Sequence, residues 1–205
     1  MPSTSQRIRI KLAVAAAALV ATSLVWSGGT FSTFDKSSAM PGNSVAAGTV
    51  KLADNDSGNA LLTAGNAKPG DTVTGCVVVS YSGTASARVR LYAALGGTGL
   101  ASHLNLTVTR GTISGTPTAG SCTGFSADTT AWSGAGAGVV YSGTLAAFPA
   151  SSGSALLDPS AGSAATWTAG DKHAYRLALT LPSGVSSAAQ GLTATAVFTW
   201  QAVST

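Results

Sequence analysis

Residues 71–95 read DTVTGCVVVSYSGTASARVRLYAAL, and this stretch decides the fold. Residues 71–80 alternate in polarity and are rich in β-branched side chains, which favours a strand. Residues 85–95 alternate as well, because a strand places Val89, Leu91 and Ala93 on one face and Arg88, Arg90 and Tyr92 on the other. The turn signal Ser82-Gly83-Thr84 separates the two runs. Two alternating runs joined by a short glycine-containing loop predict a β-hairpin.

The same alternation recurs along the rest of the chain. It predicts further strands over residues 45–52, 104–109, 138–145, 173–181 and 194–203. Many short strands with glycine-rich turns predict an all-β fold, an antiparallel β-sandwich of jelly-roll type. Residues 33–205 form one predicted domain, in which 133–138 and 150–166 are low-complexity surface loops rich in Ser, Ala and Gly.

The charge content is low and unevenly placed. Of 205 residues only 9% are charged, the acids are seven Asp with no Glu, and the net charge is +4. Three of the positive charges are Arg7, Arg9 and Lys11, and the remaining eight basic residues are scattered. This composition excludes a coiled coil and a charge-rich disordered tail. We also expect no nucleic-acid partner, since nucleic acid requires a dense basic patch.

The N-terminus has the organisation of an export signal. The basic residues are followed by the apolar run LAVAAAALVATSLVW at 12–26, which is shorter than the ~20 residues of a membrane span. We predict a signal peptide over 1–32, cut by a signal peptidase between Ser32 and Thr33, and an extended segment over about 33–44. The protein is then secreted, and it meets the membrane only through the signal peptide before cleavage. The alternative is a retained N-terminal anchor.

The only two cysteines, Cys76 and Cys122, are 46 positions apart. In an exported chain an even pair predicts a disulfide, which contributes about 4 kcal/mol for a loop of this length. The alternatives are two unpaired buried thiols or, less well supported, metal ligation, because two cysteines alone do not complete a tetrahedral site.

Few residues suggest catalysis or cofactor binding. The zinc motif His-Glu-x-x-His requires a Glu, and the two histidines, His103 and His173, are far apart in the sequence. We therefore predict no catalytic residues and no cofactor. Asp54 and Asp56 alternate before Gly58, as calcium ligands can, but an Asx-rich turn is favoured.

Three aromatic residues are candidates for a sugar-binding platform. Trp132, Trp167 and Tyr141 could stack on a polysaccharide if they are exposed. The alternative is that they pack in the core, as most Trp side chains do.

Five ordered motifs resemble the TasA/camelysin family of exported bacterial proteins. They are GGTFSTFD at 28–35, VAAGTVKL at 45–52, NAKPGD at 66–71, YSGT at 81–84 and FTWQAV at 198–203. The resemblance implies a signal removed by a dedicated peptidase, a jelly-roll sandwich and, for several members, assembly into extracellular matrix fibres.

The resemblance also implies how assembly works. In TasA-like members the segment released by cleavage adds as a strand to a neighbouring subunit, so the chain is its own partner. Here that segment begins with Thr33, Phe34 and Asp35, although Pro41 weakens strand pairing further on. We expect a secreted, non-catalytic structural protein of the cell surface or biofilm matrix. The alternatives are a camelysin-like secreted metallopeptidase, whose Glu this chain lacks, and a surface module that binds polysaccharide or another partner.

Overall fold

The computed structural model describes residues 49–55, 67–160 and 163–205, which belong to the compact unit Ala46–Thr205. The signal peptide, its cleavage site, the predicted assembly segment and Asp56 lie outside the described residues. The described strands are β1 Leu52–Asp54, β2 Thr72–Tyr81, β3 Ala87–Gly97, β4 Asn105–Ile113, β5 Phe125–Ala127, β6 Val139–Thr144, β7 Leu156–Leu157, β8 Pro159–Ser160, β9 Ser163–Ala164, β10 Lys172–Thr180 and β11 Ala194–Ser204.

The all-β prediction is confirmed, because the described helices are three short 3-10 turns, Leu100–Ser102, Leu145–Ala147 and Ser187–Ala189. None of the helices in the described ranges is long and apolar enough to cross a membrane. The strands predicted at 71–80, 85–95, 104–109, 138–145, 173–181 and 194–203 are confirmed as β2, β3, β4, β6, β10 and β11.

All strand pairs are antiparallel, and the strands form two main sheets. The first sheet has the order β1-β2-β10-β4, with β5 and β6 both paired to the far edge of β4. The second has the order β11-β3-β7, and β8 and β9 form a separate small pair. The predicted hairpin is therefore wrong, because β2 and β3 lie in different sheets.

The chain crosses between the sheets at residues 82–86 for a physical reason. In a hairpin, the apolar faces of β2 and β3 would lie side by side and both would need a cover. In separate sheets they cover each other, and Val77, Val79 and Val89 are almost fully buried. The Tyr81 hydroxyl donates a hydrogen bond to the Ala85 carbonyl across this crossing and fixes its path.

Both sheets contribute to one apolar core. β11 packs Ala196, Phe198 and Trp200 against it, as the alternation predicts. The fully buried members of the core are Val77, Val79, Tyr81, Ala87, Val89, Leu91, Ala93, Leu106, Val108, Val140, Leu145, Phe148, Ala165, Trp167, Tyr175 and Leu177.

Two matching turns start the central strands β2 and β10. The turns are residues 68–71 and 168–171, and the third residue of each is a glycine with a φ of 94° or 95°. In each turn the fourth residue, Asp71 or Asp171, accepts a hydrogen bond from the backbone N–H three positions earlier, at 2.7 and 2.6 Å. Both carboxylates therefore hold turns.

Two predicted segments differ from the structure. β1 begins only at Leu52, where the strand predicted over 45–52 ends, and residues 45–48 lie outside the described part. Residues 150–166 are more than a surface loop, because they carry the short strands β7, β8 and β9 and the buried Asp158. Pairing of Leu156–Leu157 with β3 draws this segment onto the second sheet.

Candidate functional site

A group of polar side chains is buried where β4 and β10 meet the segment 156–164. β4 and β10 place Arg110 opposite Tyr175 in register, and His173 lies two residues earlier on the same face of β10. We call this group the Arg110 cluster; its members are Arg110, Asp128, Trp132, Asp158, Trp167, His173 and Tyr175.

Asp158 is the most fully satisfied carboxylate of the cluster. It is only 5% exposed and accepts hydrogen bonds from the Tyr175 hydroxyl at 2.7 Å and from Trp167 Nε1 at 2.8 Å. Its Oδ1 also lies 3.3 Å from Arg110 Nε. Its own backbone N–H donates to the Val89 carbonyl at 2.9 Å, so the carboxylate is anchored to the second sheet.

Arg110 is a buried cation that is compensated on several sides. Its Nε lies 3.4 Å from Asp128 Oδ2, its guanidinium is 5.3 Å from the centre of the Trp132 ring, and Nη1 donates to the Pro159 carbonyl. Trp132 Nε1 in turn donates to Asp128 at 3.2 Å. A buried charge is tolerated only with such partners, so the cluster ties both sheets to the 156–164 segment.

His173 is held as a neutral ring. Arg110 Nη2 lies 2.9 Å from Nε2 and 3.3 Å from Nδ1, and the ring meets Trp167 edge-on at 4.7 Å. Burial lowers the pKa of His173 below its usual value, and the positive Arg110 lowers it further, against the opposing pull of Asp158, Asp128 and Asp171. Burial raises the pKa of Tyr175 well above its usual value, and the negative charge of Asp158 raises it further.

The cluster does not fit a catalytic metal. A divalent cation would need the lone pairs that Arg110 already engages, and the guanidinium would repel it. Among the described residues there is no group of three His, Cys, Asp or Glu that could hold a metal ion. The two histidines are also far apart in the fold. His103 lies near one end of the β4–β10 pair, where Asn105 pairs with Thr180, and His173 lies near the other end, where Gly111 pairs with Ala174. At the usual rise per residue of a strand, the two ends are about 25 Å apart.

The outer edge of β2 is covered from Cys76 to its end at Tyr81. The predicted disulfide between Cys76 and Cys122 is present, and Cys76 and Gly120 exchange backbone hydrogen bonds of 3.3 and 3.0 Å beside it. The next outward N–H, that of Val78, donates to the Asn55 side chain at 2.9 Å, and β1 pairs with residues 79–81 of β2. The disulfide thus pins the 114–124 loop to a sheet edge that would otherwise be open. The Asn55 amide also donates to the Pro117 carbonyl at 3.3 Å, and the rest of the predicted Asx-rich turn lies outside the described residues.

The outer edge of β11 is open by comparison. β11 is eleven residues long and, within the described ranges, pairs only with β3. Ala93 directs its N–H away from β11, to the Pro149 carbonyl, so its register partner Phe198 directs its N–H and C=O outward. By the same alternation, the outward-directed residues are Ala194, Ala196, Phe198, Trp200, Ala202 and Ser204.

The three aromatic candidates for a sugar-binding platform are not exposed together. Trp167 is 1% exposed and bound to Asp158, so it cannot stack on a polysaccharide. Trp132 is half-buried against Arg110. Tyr141 is half-buried as well, with its ring 4.8 Å from that of Phe148 and its hydroxyl bonded to the Thr144 carbonyl. All three serve packing, as the alternative interpretation holds.

The sequence contained one signal of the Arg110 cluster that the predictions missed. In β4 the alternation that buries Leu106 and Val108 also buries Arg110. A charge on an apolar face requires an opposite partner. That partner, Asp158, is recognisable only once the fold brings segment 156–164 to the core.

The sequence model of the camelysin metallo-endopeptidase family matches residues 6–93. The predicted resemblance to the TasA/camelysin family is confirmed. The camelysin match spans β1, β2 and most of β3, and it contains neither a histidine nor a glutamate. The camelysin family is one of exported proteins. No curated protein sequence matches the chain.

Proposed function

We propose that this is a secreted, non-catalytic structural protein of the cell surface or matrix, with the jelly-roll fold of its family, that assembles by strand addition. The observation that carries the proposal is the outer edge of β11, with which no described strand pairs. Six residues there direct backbone donors and acceptors outward, enough to pair with a strand of ordinary length.

The covered edge of β2 supports the assignment of β11 as the accepting strand. A disulfide, a side-chain cap and β1 cover residues 76–81 of β2, whereas no strand of the described ranges pairs with the outer edge of β11. The donor is the segment that begins with Thr33, Phe34 and Asp35 in a second copy. Signal removal therefore controls assembly, because the donor becomes free only when the bond after Ser32 is cut.

The peptidase alternative has less support. The region that matches the camelysin family contains no histidine, and both nitrogens of His173 face a guanidinium. If it holds nonetheless, the mature protein will degrade casein, a chelator will stop the cleavage, and His173→Ala or His103→Ala will abolish it.

Assembly is tested with mature protein starting at Thr33, compared with precursor that retains residues 1–32. We expect filaments by electron microscopy from the mature protein only. Ala196→Pro removes one outward N–H without touching the β3 ladder and should slow filament growth, whereas Ala196→Ser keeps the N–H and should not. Mature protein that stays monomeric at high concentration with seeds refutes the proposal, as does unchanged growth of a folded Ala196→Pro variant.

A further inference from the structure

The face of the second sheet that points away from the core carries positive charge, and no acidic residue of the described ranges pairs with it. β3 contributes Arg88, Arg90 and Tyr92 to this face, and their register partners on β11 are Val203, Gln201 and Thr199. We call these six residues the β3–β11 face. The opposite faces of the same strands bury Val89, Leu91 and Ala93, which confirms the predicted orientation.

The charge on this face is of one sign. β3, β7 and β11 contain two arginines and no acidic residue. Arg88 is exposed and, within the described chain, makes no ion pair, while Arg90 uses only Nη1, which donates to the Ser152 carbonyl at 3.2 Å. Arg90 Nε and the Oε1 of its neighbour Gln201 are buried without a hydrogen-bond partner.

The other two described arginines are engaged. Arg110 has two carboxylates, and Arg176, on the outer face of the first sheet, stacks on Phe125 at 5.0 Å. In a chain with so few charges, two neighbouring arginines with no acidic partner among the described residues are an uncompensated positive charge.

The arginines border a cleft of about 280 Å³. Its other walls are Val203, Ser204 and Thr205, which supply hydroxyl groups and no charged side chain. This volume is near the lower end of small-ligand sites, so the cleft accommodates one small acidic unit and not a large cofactor.

The chemistry of the face selects the ligand class. A guanidinium binds a carboxylate with two parallel hydrogen bonds, more specifically than an ammonium does. Tyr92 and Thr199 continue the face beyond the arginines with a ring and a hydroxyl, which suit a sugar ring and its hydroxyls. Two arginines are too sparse for nucleic acid.

We propose that the β3–β11 face binds an acidic, carboxylate-bearing polysaccharide, with Arg88 and Arg90 as its carboxylate contacts. This rests on the proposed function in that a matrix protein meets such polymers outside the cell. The site includes none of the three aromatic candidates, Trp132, Trp167 and Tyr141.

The test measures binding of mature protein to immobilised polygalacturonate by biolayer interferometry, at concentrations where light scattering shows monomer. The variants are Arg88→Gln with Arg90→Gln, and Arg176→Gln as the matched control on the opposite sheet. Dextran and polyglutamate serve as the neutral sugar and the acidic polymer without sugar. Unchanged melting temperatures show that the variants are folded.

We expect wild-type protein to bind polygalacturonate more tightly than either control polymer. The double variant should lose about tenfold or more in affinity, because two charge-assisted contacts are removed, and Arg176→Gln should stay within about twofold. Equal affinity for polyglutamate or dextran, or equal losses in both variants, overturns the proposal. Filaments that do not bind polygalacturonate overturn this inference alone, whereas binding without filaments overturns only the assembly proposal.

Discussion

Replacing Asp158 by Asn tests whether the Arg110 cluster holds the two sheets to segment 156–164. The substitution keeps the shape of the side chain and removes its charge. Arg110 then keeps Asp128 alone as an anionic partner, at 3.4 Å, and the new amide group faces donors where a carboxylate accepted two hydrogen bonds.

The expected loss follows from burial. Removing one partner of a buried ion pair costs about 3–5 kcal/mol, and the remaining Asp128 places the loss near the lower end, about 3–4 kcal/mol. A domain is stable by only about 5–15 kcal/mol, so this is a large share of the total. At about 2–4 °C per kcal/mol for a domain of this size, the melting temperature should fall by about 6–16 °C.

Thermal and urea unfolding at neutral pH, followed by circular dichroism, measure the loss. Asp71→Asn is the matched control, because Asp71 is an exposed turn residue that bonds one backbone N–H. It should cost less than about 1 kcal/mol. If the two variants lose the same small amount, the cluster does not stabilise the sandwich and the reasoning fails.

Three further perturbations have expected outcomes. Reducing Cys76–Cys122 should lower the unfolding free energy by about 4 kcal/mol in a melt with and without reductant, and an unchanged melt would contradict a stabilising role. Because burial and the neighbouring guanidinium lower the pKa of His173 in the folded state, the unfolded state takes up its proton first. Stability is therefore full above the unfolded value near 6.5 and falls as pH drops below it. His173→Gln should flatten that fall in urea titrations from pH 8 to 5, and an identical slope in both proteins would count against it. Gly83→Ala should lower the free energy of unfolding by about 1–3 kcal/mol in urea titrations, because a Cβ there would collide with the Tyr81 hydroxyl. The control is Gly153→Ala, in an open loop. Equal losses in the two variants would show that the backbone at residues 82–86 shifts to accommodate the methyl group.

The strands were predictable because their signal is local. Alternation with a period of two identifies a strand and its buried face from a few neighbouring residues, and β3 and β11 obeyed it along their whole length. The partner of a strand is not a local property. Ser82-Gly83-Thr84 is compatible with a hairpin and with a crossing between sheets, and the need to cover two apolar faces decides between them.

The Arg110 cluster was unpredictable for a related reason. Arg110 and Asp158 come from a strand and from a segment whose composition resembles a surface loop. Only the pairing of Leu156–Leu157 with β3 brings the carboxylate inward. Low complexity in the sequence indicated a loop correctly at 133–138, but it did not exclude a buried charge at 158.

The two proposals for this protein constrain each other through the geometry of β11. Strand addition at its outer edge extends the second sheet within its own plane, so it leaves the β3–β11 face uncovered. A filament would then repeat Arg88 and Arg90 once per subunit along one side, and a long acidic polymer could engage many copies at once. Such multivalency raises apparent affinity by about 10²–10⁴-fold without any new contact. We therefore expect filaments to retain polygalacturonate far longer than monomer does when dissociation is followed in a biosensor. Equal dissociation of monomer and filament would mean that the face is covered during assembly, and then either the accepting edge or the binding face has been assigned wrongly.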